Sequence, residues 1–226
     1  MRALSVRIDA DPPRRAALTL ARRLERAVWL NGRATVAISG GSTAPPMLAE
    51  LLGRQRAIPW DRIEAWQVDE RVAPDGHRDR NANQLGELPC RVHLMPVAAG
   101  NVRAAAAEYE AALPARFDVV HLGMGPDGHT ASWPPGDPVA DAPAGVRVAV
   151  SGRYQGRVRM TLTPAVINEA IGRVVLITGE DKAAAVAAWL EGAPFDGRDL
   201  PIARVERRNA AVVLDAAAAA KLEAHW

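Results

Sequence analysis

The sequence has only one cysteine, Cys90, among its 226 residues. A single thiol excludes an internal disulfide and a zinc site built from cysteines, and it suits a reducing compartment. No stretch approaches the roughly 18 apolar residues needed to span a bilayer, and the first residues lack the apolar segment of a signal peptide. We therefore expect a cytoplasmic protein with no membrane partner.

The sequence also lacks an excess of one charge and any evident linker. Its 28 Lys and Arg and 26 Asp and Glu give a formal charge of +2, and the arginines are scattered, so no nucleic-acid partner is implied. No Ser/Gly-rich or charged stretch divides the chain, and a hydrophobic content of 49% is enough for one substantial core. We expect a single domain over residues 1–226, with the oligomeric state left open.

Short apolar runs alternate with helical patterns along the chain. Several runs are continuous rather than alternating, which is typical of strands covered on both faces, and the order predicts an α/β fold with a doubly wound, mostly parallel sheet flanked by helices. The predicted strands are 34–39, 63–68, 92–95, 119–122, 146–150, 174–178 and 211–214, and the predicted helices are 11–29, 45–52, 81–88, 101–113, 164–171, 183–190 and 215–224. A basic, glycine-bearing loop is predicted at 153–159.

The most informative segment is VVHLGMGPDGHTASWPPG at 119–136, in which glycines end an apolar run and His129 follows close behind Asp127. His129 is thereby predicted at the carboxyl end of a strand, where open α/β sheets bind ligands. The segment also contains the dinucleotide-binding pattern G-x-G-x-x-G, but that pattern requires a helix after its third glycine. Helix-breaking residues follow instead: Pro134, Pro135, Gly136 and Pro138.

A second glycine-rich turn, Gly40-Gly41-Ser42-Thr43, joins a predicted strand to a predicted helix. Such a turn presents backbone N–H groups and the positive end of the helix dipole to a phosphate, and an ordinary βα turn with a Ser/Thr cap would read the same way. Both interpretations stay open. A P-loop is excluded because the Gly-Lys-Ser/Thr ending is absent.

Charged residues follow two other predicted strands. Asp69, Glu70 and Arg71 come at the end of one, where three charges are awkward to bury unless they serve one another or a ligand. Lys182 lies in a first helical turn, which is slightly unfavourable for the helix dipole, so it is either paired with an anion or simply solvated.

The other histidines assessed have less suggestive settings. His77 lies in a polar loop and is expected to be solvated, whereas His93 and His121 lie within apolar runs and are expected to be packed, hydrogen-bonded core residues. His129 is therefore the histidine to which we attach chemistry.

Five segments together resemble the 6-phosphogluconolactonases, a family that shares a superfamily and a doubly wound α/β fold with the glucosamine-6-phosphate deaminases. They are ISGGST at 38–43, VDER at 68–71, LGMGPDGHTAS at 122–132, RMTLTP at 159–164 and GEDK at 179–182. The resemblance runs in the same order from about residue 34 to 214, and the LGMGPDGHTAS string is its most specific part.

The resemblance implies hydrolysis of 6-phosphoglucono-δ-lactone in the oxidative pentose phosphate pathway, without a metal or organic cofactor. It implies that His129 is the general base, that Asp127 orients it or shapes the turn, and that Asp69 and Glu70 hold Arg71 and its loop. The residues that it places around the phosphate and the lactone oxygens are Gly40, Gly41, Ser42, Thr43, Arg71, Arg159 and Lys182. Asp69 and Glu70 are also counted among the substrate-binding residues.

Two positions depart from the family pattern. ASWPPG stands where lactonases usually have ASLFPG, so that Trp133 is expected to reshape the pocket rim, and Arg80 replaces a common serine.

The sequence leaves two alternative functions. A deaminase would carry an Asn-Glu pair soon after His129, whereas the next carboxylate here is Asp137; a sugar-phosphate-sensing regulator would need a DNA-reading module, for which the residues before 34 leave no room.

Overall fold

The computed structural model describes residues 4–54, 57–196 and 199–223. In chain order the elements are β1 Ser5–Ile8, α1 Pro12–Asn31, β2 Ala34–Ile38, α2 Ala44–Leu52, β3 Ile63–Gln67, β4 Asp69–Arg71, α3 Ala82–Leu85, β5 Arg91–His93, α4 Val102–Ala112, β6 Val119–Leu122, β7 Val148–Tyr154, β8 Arg157–Leu162, α5 Pro164–Glu169, β9 Gly172–Ile177, α6 Ala183–Glu191 and β10 Ala210–Leu214. Among these described residues, no helix is long and apolar enough to cross a membrane.

Seven of the strands form a parallel sheet in the order β1-β10-β9-β6-β2-β3-β5. This confirms the predicted fold class. The chain runs outward from β2 through β3 to β5 and then returns to place β6 on the other side of β2. The direction of winding therefore reverses between β2 and β6, which is the position at which such sheets form a ligand crevice.

Hydrophobic layers cover both faces of this sheet. On one face α1 and α2 pack through residues such as Leu20 and Met47, and on the other α4 and α6 pack through residues such as Tyr109 and Trp189. The continuous apolar strands need both layers because their side chains alternate between the faces.

The remaining strands form a separate antiparallel sheet in the order β4-β8-β7. The predicted loop at 153–159 is therefore wrong: β7 and β8 form a hairpin whose turn residues Gln155 and Gly156 both have positive φ, 49° and 81°. Hairpins of this kind usually carry Asn-Gly or Asp-Gly, so Gln-Gly gave only a weak signal in the sequence.

Two smaller predictions also need correction. The edge strand β1, which pairs with β10, was not predicted because its side chains are mostly exposed and show no apolar run. The predicted helix at 215–224 is a series of turns, in which Ala220 N donates to Ala217 O, and its last residue lies outside the described part of the chain.

Candidate active site

Loops from the parallel strands meet at the carboxyl edge of the sheet. The loops after β2, β6 and β9 come from neighbouring strands, and β3 leads through Val68 directly into β4. The first two loops touch, since a Cβ on Gly123 would lie 3.5 Å from Thr43 Oγ1. The sequence segments singled out above are thus gathered on either side of the position where the winding reverses.

The turn that carries His129 is tightly hydrogen-bonded. Gly125 N donates to His129 O at 2.8 Å, and Gly128, with φ of 78°, donates to Gly125 O at 3.0 Å. The imidazole lies directly against Gly125, where any Cβ would overlap the ring. Two glycines therefore set the position of the histidine, one by its left-handed backbone and one by its missing side chain.

Asp127 orients the imidazole. His129 Nδ1 lies 2.6 Å from Asp127 Oδ1, and the same oxygen accepts from His129 N at 3.2 Å. Burial would raise the pKa of Asp127, but the hydrogen bonds from His129 and Tyr154 outweigh it and hold that pKa well below its usual range. An ionised Asp127 favours the tautomer with a proton on Nδ1, which makes Nε2 the acceptor.

Tyr154, at the end of β7, is a site residue that the sequence did not reveal. Its hydroxyl donates to Asp127 Oδ2 at 2.6 Å and lies 3.2 Å from His129 Nδ1, while the two rings meet edge to face at 5.3 Å. Burial and the hydrogen bond to the Asp127 carboxylate raise the pKa of Tyr154. The only signal in the sequence was its place before a Gln-Gly turn.

Two arginines stand opposite each other in the antiparallel sheet. Arg71 on β4 is the register partner of Arg159 on β8, and Arg159 is only 3% exposed. Burial, and next the charge of Arg71, lower the pKa of Arg159. Both Nε atoms are buried without a hydrogen-bond partner. Like charges directly opposite destabilise a sheet, so this pair is suited to an anion.

The carboxylates beside this pair are already engaged. Asp69 accepts from Ser39 Oγ at 3.0 Å and from Ser132 Oγ at 2.7 Å. Glu70 is fully buried and accepts backbone N–H groups at the start of α3, from Asn81 and Ala82, at 2.8 Å each. Glu70 therefore braces the loop, and its contact with the substrate stays a prediction.

The Gly40–Thr43 turn is less open than the sequence suggested. Gly41 N donates to Gln84 Oε1 at 3.1 Å, and Gly40 lies so close to the Asn81 side chain that a Cβ would overlap it. Ser42 is exposed, and Thr43 makes no side-chain cap to α2. The hydroxyls of Ser42 and Thr43 therefore remain available to a ligand.

Lys182 already has a partner. Its ammonium pairs with Asp181, and its side chain is 18% exposed. The dipole argument for an anion at Lys182 is therefore weaker than the sequence suggested, although Lys182 follows β9 at the same edge of the sheet.

Three other residues singled out in the sequence are buried. His121 is buried, but within the part of the chain that the structure describes neither ring nitrogen has a hydrogen-bond partner, so the expectation that it is hydrogen-bonded is wrong. Trp133 is fully buried and donates to Leu162 O at 2.8 Å, so it does not lie at the pocket rim. Arg80 is 5% exposed and forms ion pairs with Glu70 and Asp75.

The expectation for His77 also changes. His77 is half-buried, and its Nε2 lies 3.2 Å from Arg157 Nη2. It supports the loop before α3 against β8.

Within the described residues, no three His, Cys, Asp or Glu side chains are grouped so as to hold a metal ion.

Comparisons with known proteins agree with this arrangement. The family described as glucosamine-6-phosphate isomerases/6-phosphogluconolactonase matches residues 10–214. The 6-phosphogluconolactonase of Mesorhizobium japonicum is 38% identical over 213 residues, which cover 88% of this chain and 84% of that protein. The 6-phosphogluconolactonase of Streptomyces coelicolor is 35% identical over an alignment of 234 positions, which covers 92% of this chain and 89% of that protein.

Solved structures share the fold. The crystal structure of 6-phosphogluconolactonase from Leishmania guyanensis superimposes with a TM-score of 0.82 at 24% identity, over 99% of this chain and all of that one. A monomeric glucosamine-6-phosphate deaminase gives a TM-score of 0.79 at 17% identity, over 97% of this chain and all of that one. The fold is therefore common to both activities, and residues at the site must distinguish them.

Proposed function

We propose that this chain, which belongs to the family of glucosamine-6-phosphate isomerases and 6-phosphogluconolactonases, hydrolyses 6-phospho-D-glucono-1,5-lactone to 6-phosphogluconate in the oxidative pentose phosphate pathway. The observation that carries the proposal is the His129–Asp127 pair beside the buried Arg159 and the half-buried Arg71. A cytoplasmic location of the reaction is part of the proposal, and the single thiol, which suits a reducing compartment, supports it.

His129 acts as the general base. With Nδ1 held by Asp127, Nε2 accepts a proton from water as the water oxygen attacks the lactone carbonyl. The tetrahedral oxyanion then collapses, the bond from the former carbonyl carbon to the ring oxygen breaks, and the imidazolium returns the proton to that oxygen. The histidine is thus regenerated and one water is consumed.

The cationic side chains serve the anionic parts of the substrate. Arg71 and Arg159 provide fixed positive charge close to His129, where it stabilises a developing oxyanion or holds the phosphate. Ser42, Thr43 and Lys182 offer further donors from the neighbouring loops. No step is assigned to a metal or an organic cofactor.

A deaminase-type reaction fits these residues less well. The first carboxylate after His129 is Asp137, which accepts from Val139 N at 2.9 Å and from Gly152 N at 2.8 Å. Asp137 is thus occupied in joining its own turn to β7, and it is not available to assist the histidine in opening a sugar ring.

Acid release from freshly prepared 6-phosphogluconolactone tests the proposal. Micromolar protein should accelerate hydrolysis well above the spontaneous rate, and activity should persist in excess EDTA. Hydrolysis at the spontaneous rate, with turnover of glucosamine 6-phosphate instead, would overturn it.

A further inference from the structure

Tyr154 connects the general base to the arginine pair through a continuous set of contacts. Its hydroxyl donates to Asp127 Oδ2 at 2.6 Å and accepts from Gln155 Nε2 at 3.2 Å. Gln155 Oε1 in turn accepts from Arg159 Nη2 at 3.0 Å, and the Arg159 guanidinium lies over the Tyr154 ring, 5.0 Å from its centre. The phenol is therefore held from both its edge and its face.

The backbone is irregular on both sides of Tyr154. The β7–β8 pairing shifts register between Ser151 and Tyr154, which re-aims the end of β7. The turn that follows holds Gln155 at a φ of 49°, a conformation that non-glycine residues adopt at a cost. This conformational cost at the tip of an exposed hairpin is consistent with a role of the tip in the site.

The geometry points to Tyr154 as a positioning residue of a His129–Asp127–Tyr154 group, which holds Asp127 so that the imidazole stays in the tautomer with Nε2 free. This rests on the proposed function of His129 as base. Asp127 has two carboxylate oxygens, and with Tyr154 on Oδ2 only Oδ1 faces Nδ1. Without the phenol the half-exposed carboxylate can rotate, and the orientation of the imidazole is lost with it.

The charged groups that face the phenol are Asp127 and His129 from the β6 loop and Arg159 from β8, and Arg159 is in turn near Arg71 and Asp69. Removing the hydroxyl takes the donor away from Asp127 Oδ2, so that the carboxylate is no longer held in the orientation that places Oδ1 on Nδ1.

Tyr154→Phe tests this because it keeps the ring and removes only the hydroxyl. We expect kcat to fall about 5- to 50-fold with KM little changed, as for loss of a group that positions a base. Combining Tyr154→Phe with Asp127→Asn should add little to the Asp127→Asn loss, since the two act through one another.

The matched control is Arg153→Ala on the same hairpin. Arg153 is exposed and donates only to Gly156 O, so its loss disturbs the tip without touching the histidine, and near-normal kinetics are expected. If Arg153→Ala and Tyr154→Phe lower kcat equally and neither changes the His129 tautomer, Tyr154 acts only through the fold of the hairpin and the inference is wrong.

Nitrogen NMR of the imidazole provides a readout that does not need turnover. In the unmodified protein the neutral His129 should carry its proton on Nδ1, and Tyr154→Phe should raise the share of the Nε2–H tautomer. An unchanged tautomer together with wild-type kcat would overturn the role of Tyr154. The proposed function fails separately, if the unmodified protein does not hydrolyse the lactone.

Discussion

The edge of the parallel sheet and the small antiparallel sheet contribute to the site in different ways. On the parallel side a glycine turn places a single histidine that is 20% exposed, with its position set by backbone conformation. On the antiparallel side the strand register places Arg71 opposite Arg159, with its position set by pairing. Proton transfer thus depends on a loop, whereas fixed positive charge depends on strands.

This division predicts that substitutions on the two sides will affect different kinetic quantities. Loss of the base should slow the chemical step, because the base takes a proton from water only as the transition state forms. Loss of an arginine should weaken the hold on the anionic substrate.

The largest expected effect is that of His129→Ala. A positioned base contributes about 10² to 10⁴ in rate, so kcat should fall by that order while the Kd for 6-phosphogluconate stays within about twofold. The matched control is His77→Ala, whose imidazole lies against Arg157 and takes no part in the proposed chemistry. Steady-state kinetics and calorimetric titration measure the two quantities. Near-normal kcat in folded His129→Ala would move the role of base to a carboxylate such as Asp69.

Arg159→Ala is expected to have the next largest effect, on substrate discrimination. The ratio of kcat/KM for the phosphorylated lactone to that for gluconolactone should fall about 10- to 100-fold, the scale of a lost charge-assisted hydrogen bond. Using the ratio cancels any disturbance of Tyr154 that both substrates share. Lys182→Ala should lower the ratio only a few-fold, since Asp181 already pairs with Lys182. An unchanged ratio in Arg159→Ala would place the phosphate elsewhere.

The same division explains what the sequence could reveal. The parallel sheet was predictable because continuous apolar runs and the glycines after them are local signals, and β6 at Val119–Leu122 has the predicted bounds. The His129 turn was predictable for the same reason. The pairing of β4 with β8 joins segments about 90 residues apart, and no local pattern announces it.

Tyr154 and Gln155 were missed for that reason, since their significance lies in partners on other elements. The same holds for Arg71 and Arg159: both were singled out through the family resemblance, but their direct opposition is a matter of register. His121 was misjudged in another way, since an apolar run predicts burial and does not reveal whether a buried polar group finds a partner.

The smallest expected effect concerns the body of the sheet beneath the site, and it appears in stability rather than in activity. His121 shares a face of β6 with Val119, which packs in the layer of α1 and α2. Burial lowers the pKa of His121 from 6.5 to about 4. As the pH is lowered, the unfolded chain binds a proton on this imidazole below about pH 6.5, whereas the folded chain binds it only below about pH 4. The free energy of unfolding therefore keeps its full value above about pH 6.5 and declines as the pH falls through this range.

His121→Leu should remove this dependence. Between pH 7 and pH 5 the unmodified protein should lose about 2 kcal/mol more unfolding free energy than the variant, and the variant should be the more stable at both because it buries no unpaired ring nitrogen. Denaturant unfolding at the two pH values measures the difference, and lactone hydrolysis at pH 7 should be unchanged. Equal pH dependence in both proteins would mean that the imidazole finds a partner or water in solution. A large loss of activity in His121→Leu would mean that the geometry of the site depends on the packing of this side chain in the sheet.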